Sequence, residues 1–432
     1  MSPDLTAAIG GPVGRRARRL GLWFRPGPLA YALATVNWVL LMSRQGWCFD
    51  HADLQYRRLC YSDVMALWGV RGIAEGRVPY LESDLEYPML TGGFIYLTRR
   101  LSGLLDTARA DVTFFGLTSA LLFACFLALV WVHLRLGHPA AAIMVAASPL
   151  VTASGLINWD LLVVALASGS LLAWARGRPA LAGVLIGLGT AAKLYPVLFL
   201  VPIVVLSLRA GRLRAARAAV LAAFGAWAAA NLPVIIAAPA GWWNFWSFNA
   251  DRGGDLGSLW YVWTSRGGEL PSLSAAVAGA MVLGTAALVA LWLAAPRRPR
   301  LAQAVFLIML LFLLVNKVYS PQYMLWLLPL AVLARPVWRD WLVLTFGELV
   351  YYGAVWLYLD GGLYAGDGQP RLYWVAVLVR VACEVWVGAH VVRDVLEPWD
   401  DPVRAGYVDD PTGGVLDGAP DAGRRVGLRE AP

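Results

Sequence analysis

Long runs of apolar residues are the feature that most constrains the fold of this chain. The run 274–295 contains no charged residue, and similar runs recur between residues 27 and 391. A helix needs about 20 mostly apolar residues to cross a membrane, whereas the strands of a membrane barrel alternate apolar and polar residues. Of the 432 residues, 59% are hydrophobic and only 15% are charged, against about 25% charged in soluble proteins. We therefore predict an all-α, polytopic integral membrane protein.

Clusters of arginine lie between the apolar runs and predict the orientation of the chain, because cytoplasmic loops are enriched in basic residues. Five arginines between residues 15 and 25 precede the first run, so the segment 1–26 is predicted to be cytoplasmic. The runs that follow predict about twelve membrane helices in a polytopic domain, residues 27–392. The net charge of +8 then reflects topology, and we predict no nucleic-acid partner. The segment 393–432 is rich in Asp, Gly, Pro and Arg, which predicts a disordered cytoplasmic tail.

Two segments, 44–110 and 238–273, are predicted to be external loops and are called here the first loop and the second loop. Within the first loop, the segment 87–105 is partly apolar but carries Arg99 and Arg100 at its centre. Charged side chains are costly in the middle of a bilayer. This segment is therefore predicted to be an interfacial helix instead of a membrane span.

The four cysteines divide by position. Cys125 and Cys383 fall in apolar runs and are predicted to be packing residues. Cys48 and Cys60 flank a polar part of the first loop. They would pair in an oxidising compartment and stay free in a reducing one, so the sequence leaves both states open.

Two apolar stretches, 179–208 and 301–334, are interrupted at their centres by polar residues and proline. All but two of the 36 basic residues are arginine, and the two lysines, Lys193 and Lys317, lie at these interruptions. Broken helices at membrane depth line protein or water-filled cavities, and ionisable groups at that depth are functional candidates. Both lysines are therefore predicted to bind a phosphate, with snorkelling to the membrane interface as the alternative.

The predicted external face collects carboxylates and tryptophans. The first loop contains Asp50, Asp53, Asp63, Glu75, Glu82, Asp84 and Glu86, and the second contains Asp251, Arg252, Asp255, Arg266, Trp242, Trp243, Trp246, Trp260 and Trp263. Aromatic rings stack on sugar rings, cations hold phosphate, and a carboxylate acts as general base toward a hydroxyl. These residues favour a substrate with a sugar and a phosphate. The alternative is a solvated loop with an interfacial aromatic belt.

Several charged residues of the apolar segments have more than one interpretation. Asp160, beside Asn158 at a predicted hairpin tip, is interpreted either as a helix cap or as a site residue. Arg380 and Glu384 lie one helical turn apart and are predicted to form a buried pair. Glu348 has no partner that the sequence reveals.

No metal or nucleotide motif stands out. The four histidines lack ligand spacing, and the triplet Glu82-Ser83-Asp84 is one of several acidic groups in its loop. The chain also has no Walker P-loop. We therefore predict no metal, no other cofactor and no ATP-driven transport.

Seven short motifs follow one another along the chain, and their order and spacing form a pattern. They are Tyr61-Ser62-Asp63, Gly76-Arg77-Val78-Pro79-Tyr80, Glu86-Tyr87-Pro88, Asn158-Trp159-Asp160, Lys193-Leu194-Tyr195-Pro196, Arg252 to Trp260, and Tyr319 to Tyr323. Over about residues 30–335 this pattern resembles glycosyltransferase family 87 of the GT-C superfamily, the polyprenyl-phosphate-mannose-dependent α-mannosyltransferases. The chain departs from the family pattern at Met89, where a second Pro is usual.

The resemblance implies a GT-C-type membrane fold in which Asp63 of the first loop is the catalytic base and a juxtamembrane helix follows. We expect an inverting transfer of a sugar, mannose by the family pattern, from a polyprenyl phosphate to a glycolipid or glycan acceptor on the extracytoplasmic face. The residues predicted to bind the donor phosphate and sugar are Lys193, Lys317, Arg252, Tyr319 and Gln322. Those predicted to support the site are Glu86, Tyr87, Asp160, Asn158 and Tyr80.

A lipid flippase or transporter, which also needs cations and broken helices at membrane depth, is the alternative function. It would spread polar residues through the bilayer and show paired halves, whereas the polar residues here concentrate on one predicted face. Either function places the chain among the lipids of the cell membrane. The sequence identifies neither the sugar, the acceptor nor the linkage, and it leaves the oligomeric state open.

Overall fold

The computed structural model describes residues 26–105, 107–136, 139–269, 271–406 and 409–422, and the regular elements in these ranges are all helical. The α-helices are α1 (Pro26–Cys48), α2 (Asp63–Ala66), α3 (Met89–Ser102), α4 (Ala110–Arg135), α5 (Pro139–Ala146), α6 (Pro149–Ser154), α7 (Asp160–Ala175), α8 (Pro179–Ala192), α9 (Leu200–Arg209), α10 (Leu213–Ala237), α11 (Pro239–Asp251), α12 (Leu259–Thr264), α13 (Leu273–Ala294), α14 (Leu301–Val315), α15 (Met324–Ala334), α16 (Trp338–Leu359) and α17 (Arg371–Leu396). Short 3-10 helices cover Ala52–Leu54, Tyr195–Phe199, Pro321–Tyr323, Arg404–Gly406 and Gly414–Leu416. The prediction of an all-α fold is confirmed. Apart from Pro26, the predicted cytoplasmic segment 1–26 lies outside the described residues.

Five of the described helices, α4, α10, α13, α16 and α17, are long and apolar enough to cross a membrane. The apolar helices α5 to α9, α14 and α15 are shorter and mostly follow one another in pairs across a break. This pattern confirms a polytopic membrane protein, whereas the number of twelve spans stays a prediction.

The break between α5 and α6 shows how an interrupted helix is stabilised inside the bundle. Asn37 of α1 donates hydrogen bonds from Nδ2 to the carbonyl oxygens of Ala146 (3.1 Å) and Ser148 (2.7 Å). These carbonyls flank the point where Pro149, which has no N–H to donate, begins α6. Since unpaired backbone groups are costly in apolar surroundings, the buried Asn37 side chain makes this break tolerable.

The helix that leads to Lys193 is held rigidly by close packing. α8 packs between α7 and α10, and a Cβ atom added at Gly183 or Gly187 would overlap the carbonyl oxygen of Ala219 or Ala223. Glycines four residues apart lie on one face of a helix, which lets two backbones approach each other. The position of the Lys193 break is therefore fixed by the contact between α8 and α10.

The first loop is a folded unit with its own crosslink. A disulfide joins Cys48 and Cys60, which decides the question that the sequence left open. The segment predicted as an interfacial helix forms α3, and Arg99 donates hydrogen bonds to the carbonyl oxygens of Ile73 (3.0 Å) and Ala74 (2.9 Å). The part of the loop before α3 thus provides hydrogen-bond acceptors for an arginine of α3. The location of α3 at the membrane surface stays a prediction.

The prediction of a disordered tail over 393–432 is wrong for its described part. Asp401 is fully buried and accepts a hydrogen bond from Nε of Arg300 (2.7 Å), and Asp410 accepts the first N–H of α14 (2.8 Å). The tail aspartates pair with arginines and free backbone groups at the helix ends, an interaction that a search for apolar periodicity does not detect. Residues 423–432 lie outside the described residues.

Candidate active site

A cavity of about 720 Å³ lies where the first loop, the second loop and the breaks at Lys193 and Lys317 meet. Of the predicted site residues, those that line it are Asp63, Glu86, Tyr87, Lys193, Arg252, Lys317 and Gln322. Those that do not line it are Tyr80, Asn158, Asp160 and Tyr319. The fold therefore brings most of the candidate residues to one cavity, although they are spread over more than 250 positions of the sequence.

Asp63 is placed by backbone contacts between the first loop and the turn before α7. Its N–H donates to the carbonyl oxygen of Ile157 (2.6 Å), and the Ser62 hydroxyl donates to that of Leu156 (2.6 Å). The hydroxyl of Tyr87 donates to Oδ2 of Asp63 (2.7 Å). The carboxylate is thus anchored from two sides and faces the cavity.

The surroundings of Asp63 change its proton affinity. Burial raises the pKa of its carboxyl group, and hydrogen bonds from Tyr87 and Tyr61, together with the charge of Lys193, oppose that rise. A carboxyl with a raised pKa is a stronger base once ionised. Burial also raises the pKa values of Tyr61 and Tyr87, so both hydroxyls stay protonated and donate to the carboxylate.

Of the other described acidic residues in the first loop, only Glu86 lines the cavity. Its carboxylate is paired with Arg71, whose Nε donates to Oε2 at 3.0 Å. Tyr80 lies behind this segment and donates from its hydroxyl to the carbonyl oxygens of Tyr87 and Pro88, at 2.9 Å each. Glu86 and Tyr80 therefore hold the segment that carries Tyr87, and Asp63 is the acidic group best placed to act as a base.

Lys193 directly follows the last residue of α8 and has an extended backbone. Its ammonium donates to Oδ1 of Asp160 (2.9 Å), and the indole of Trp326 donates to Oδ2 (2.9 Å). Asn158 accepts the backbone N–H of Asp160 (2.9 Å) and fixes this turn. The Asp160 carboxylate thus binds side chains beneath the cavity, which favours the site interpretation over the helix cap.

The Lys193 ammonium keeps hydrogen-bonding capacity toward the cavity. Its bond to Asp160 uses one of three N–H groups, and the rings of Tyr87, Tyr323 and Trp326 lie 5.0, 5.8 and 5.6 Å from Nζ. Cation–π contacts stabilise the charge without using an N–H. The remaining N–H groups are available to an anion.

The stacked aromatic side chains of the cavity are not the tryptophans predicted from the second loop. None of the second-loop tryptophans lines it: Trp242, Trp243, Trp246, Trp260 and Trp263 lie elsewhere. Tyr323 and Trp326 stack with ring centroids 3.7 Å apart, and Tyr56, Tyr61 and Trp356 form a second aromatic group. The spacing of three between Tyr323 and Trp326, just after a helix break, was a usable signal. Nothing in the sequence links Tyr56 to Trp356.

Arg252 follows α11 and lines the cavity beside the second break. Its Nε donates to Oδ2 of Asp255 (3.0 Å). The backbone N–H of Asp255 donates in turn to the carbonyl oxygen of Lys317 (2.8 Å). The side chain of Arg252 is one third exposed (33%), so it is positioned by its carboxylate partner while its outer edge faces the cavity.

Lys317 has less capacity left for a ligand. Its ammonium donates to the carbonyl oxygens of Asn249 (2.9 Å) and Ala250 (3.0 Å) and to the hydroxyl of Ser274 (3.1 Å). Three acceptors match its three N–H groups, and two of them belong to the last turn of α11, where a positive charge is favourable. In this arrangement Lys317 joins α11 to α13.

Tyr319 was expected to contact the donor, and this expectation is wrong because the side chain is fully buried outside the cavity. Its hydroxyl donates to Oε1 of Glu348 (2.7 Å), and the guanidinium of Arg380 lies 3.4 Å from its ring centroid. Arg380 pairs with Glu384 as predicted (3.3 Å) and donates to the carbonyl oxygen of Gly257 (2.9 Å). This buried cluster therefore fixes the second loop behind the cavity.

Gln322 is the cavity residue with an unused acceptor. It is buried, and its Oε1 has no hydrogen-bond partner among the described residues. Unpaired buried polar atoms are rare in proteins. The amide oxygen is thus suited to accept a hydrogen bond from a ligand hydroxyl.

Comparison with known families relates the chain to a family of glycosyltransferases. A sequence model of glycosyltransferase family 87 matches residues 91–316, which is just over half of the chain. The matched range includes Lys193 and Arg252, whereas Asp63 precedes it. No curated protein matches the chain.

Proposed function

We propose that this chain transfers a sugar from a polyprenyl phosphate to an acceptor hydroxyl, with Asp63 as general base. The premise is that the chain belongs to glycosyltransferase family 87 and is a membrane glycosyltransferase. One observation carries the proposal: the Asp63 carboxylate shares a cavity with the cations of Lys193 and Arg252. A base beside fixed positive charges is what transfer from a phosphate leaving group needs. Mannose is the proposed sugar because the motifs resemble mannosyltransferases.

In the proposed step, Asp63 takes the proton of the acceptor hydroxyl as the acceptor oxygen attacks the anomeric carbon of the donor. The bond from that carbon to the phosphate oxygen breaks, and its electron pair leaves with the polyprenyl phosphate. Attack opposite the leaving group inverts the configuration. Tyr87, which donates to Oδ2, holds the carboxylate in the orientation for this transfer.

The leaving phosphate gains negative charge as the bond breaks, and Lys193 and Arg252 would stabilise it. Both cations are already held by carboxylates, Lys193 by Asp160 and Arg252 by Asp255. Fixed charges of this kind need little rearrangement at the moment of reaction. The free amide oxygen of Gln322 would accept a hydrogen bond from a donor hydroxyl.

Apolar residues of the cavity lining suit the hydrocarbon chain of the donor. They include Val197, Leu198, Phe248 and Phe312, and Val197 and Phe248 are exposed. Exposed apolar residues at a cavity favour a lipid as the ligand. We propose that the cavity opens on the extracytoplasmic side and that both chain ends are cytoplasmic, as the arginine clusters indicate.

The central test is Asp63→Asn in proteoliposomes supplied with radiolabelled polyprenyl-phosphate mannose and an acceptor. Loss of the base should lower transfer by about 10²–10⁴-fold while the protein stays folded. Asp53→Asn is the matched control, because Asp53 lies in the same loop and is exposed. Wild-type turnover in D63N would contradict the assignment of the base. Label that crosses the membrane without reaching an acceptor would instead support a flippase.

The pH profile gives a second, independent readout. The base must be ionised, so activity falls as pH is lowered through the pKa of Asp63, which burial raises above its usual value. The hydrogen bond from Tyr87 lowers that pKa, so Tyr87→Phe should move the acid limb of kcat/KM, which reports the free enzyme, to higher pH. An acid limb that stays in place in Y87F, or moves to lower pH, would contradict this prediction.

A further inference from the structure

Five exposed arginines lie at one end of the bundle and have no part in the proposed mechanism. They are Arg176 and Arg178 in the turn between α7 and α8, and Arg212, Arg214 and Arg217 at the start of α10. None of their side chains forms a hydrogen bond or an ion pair with another described residue. These residues are called here the arginine patch. The described part of the chain thus leaves five positive charges unpaired.

The two parts of the arginine patch lie side by side because α8 and α10 are parallel. A Cβ atom at Gly183 would overlap the carbonyl oxygen of Ala219, and one at Gly187 would overlap that of Ala223. Both pairs have the same separation in sequence, so the helices run in the same direction and their first turns are neighbours. The axes of packed helices are about 8–10 Å apart. The arginine patch is therefore one surface, at the opposite end of α8 from Lys193.

Nearby arginines are neutralised by the folded tail, whereas those of the arginine patch are not. The ion pairs with the tail include Arg209 with Asp421, Arg297 with Asp409, and Arg300 with Asp401. The terminal segments 1–25 and 423–432 contain eight arginines and two acidic residues. Their net charge is positive, so they are poorly suited to neutralise the patch. A negatively charged partner is therefore expected to come from outside the chain.

The start of α10 connects the arginine patch to a surface that faces lipid. α10 is long and apolar enough to cross a membrane, and its side chains Leu221 and Phe224 are 71% and 67% exposed. Residues three, four or seven positions apart share a face of a helix, so these two apolar side chains lie on the same face as Arg214 and Arg217. Apolar side chains this exposed on a membrane helix contact lipid tails. The arginines, one to two turns nearer the helix start, are then at the level of the lipid headgroups.

We propose that the arginine patch binds the phosphate headgroups of anionic phospholipids. Arginine donates paired hydrogen bonds to phosphate oxygens, and clusters of basic residues beside a membrane helix attract anionic lipids. A cavity of about 740 Å³, lined by residues 211–215 and by Val415 of the tail, gives a headgroup room. A lipid fits better than a soluble polyanion because Leu221 and Phe224 extend the patch with an apolar surface.

The test measures which lipids the purified full-length protein retains after extraction from vesicles of phosphatidylcholine mixed with phosphatidylglycerol. Native mass spectrometry counts the bound lipids, and the wild-type protein should retain phosphatidylglycerol in preference to phosphatidylcholine. The variant Arg212→Gln/Arg214→Gln/Arg217→Gln should lower the retained phosphatidylglycerol by about tenfold or more, since each basic residue near the membrane surface adds to the attraction. A higher salt concentration should weaken the preference of the wild-type protein, because salt screens exposed charges.

A matched control removes the same charge elsewhere. Arg58→Gln/Arg100→Gln/Arg266→Gln changes three exposed arginines of the first and second loops and should keep the wild-type preference. Arg176→Gln/Arg178→Gln, in the other turn of the arginine patch, should lower the retained phosphatidylglycerol. The thermal midpoint in phosphatidylcholine alone shows whether each variant is folded. Addition of phosphatidylglycerol should raise that midpoint for the wild-type protein and the loop control, but not for R212Q/R214Q/R217Q.

Three outcomes would overturn the inference. The first is equal retention of phosphatidylglycerol by the wild-type protein and R212Q/R214Q/R217Q, and the second is an equal loss of it in the loop control. The third is a thermal midpoint that soluble glycerol phosphate raises as much as phosphatidylglycerol does, which would show that the patch binds free phosphate instead of lipid. None of these measurements uses sugar transfer, so the inference is tested independently of the proposed function.

Discussion

The two helix breaks have nearly the same sequence, and yet their lysines have different surroundings. At the first, the Lys193 ammonium donates one hydrogen bond, to Asp160, and is surrounded by aromatic rings. At the second, the Lys317 ammonium donates to three oxygens of α11 and α13. A Lys-x-Tyr pattern followed by Pro therefore predicts an interrupted helix. Residues far away in the sequence determine what the lysine binds.

The tyrosines of the two breaks differ in the same way. Tyr195 lines the cavity and stacks on Trp326, with ring centroids 4.6 Å apart. The Tyr319 side chain points into the bundle, where Glu348 of α16 accepts a hydrogen bond from its hydroxyl. Both breaks line the cavity, but the tyrosine of the first faces it and the tyrosine of the second is buried behind it. Substitutions at the two lysines should show whether the two breaks also differ in function.

The largest effect is expected for Lys193→Met. In the proposed mechanism Lys193 stabilises the leaving phosphate, so removal of its positive charge should lower kcat by about 10²–10³-fold, measured as transfer of radiolabelled mannose. Because a buried Asp160 without its partner would itself destabilise the fold by about 3–5 kcal/mol, the double variant K193M/D160N is the necessary comparison. A folded double variant with wild-type kcat would show that Lys193 does not act on the phosphate.

A smaller effect is expected for Asp160→Asn, which keeps the lysine but weakens its anchor. The Lys193 ammonium would lose its charged partner and shift, and a displacement of about 1 Å can lower the rate by up to about 100-fold. We expect a decrease of kcat between about tenfold and that limit, measured under saturating donor. Unchanged kcat would mean that Lys193 is positioned by the aromatic rings alone.

The smallest effect is expected for Lys317→Met. Since this lysine contacts the last turn of α11, its loss should lower the free energy of unfolding by about 0.3–1 kcal/mol, seen as a lower thermal midpoint. We expect kcat to fall by less than about tenfold, through a slight shift of Arg252. If K317M lost as much activity as K193M, the distinction between the two breaks would be wrong.

The sequence predicted those features that local composition determines. The apolar runs, the two breaks and the helix α3 follow from residue types within short windows, and the structure contains them. The role expected for Tyr319 failed because Glu348 and Arg380 lie on other helices. The tail was also misjudged, because the pairing of Asp401 with Arg300 spans 101 positions. Such contacts leave no periodic signal.

The grouping of Asp63 with Lys193 is an intermediate case. Both were selected from the sequence, one by family pattern and one by its rarity, and the structure places them in one cavity. The aromatic group of Tyr56 and Trp356 was not selected, because its members lie 300 residues apart and neither belongs to a motif. Resemblance therefore points to candidate reactive groups more readily than to the walls of their cavity.

The folded tail has a consequence for biosynthesis. Arg300 at the start of α14 is fully buried against Asp401, and the first N–H of α14 is capped by Asp410. Both aspartates are translated after all the α-helices described above. During synthesis, Arg300 and the first N–H of α14 therefore lack these partners while α14 to α17 are being made. Only when residues 401–410 have left the ribosome can this end of the bundle be completed.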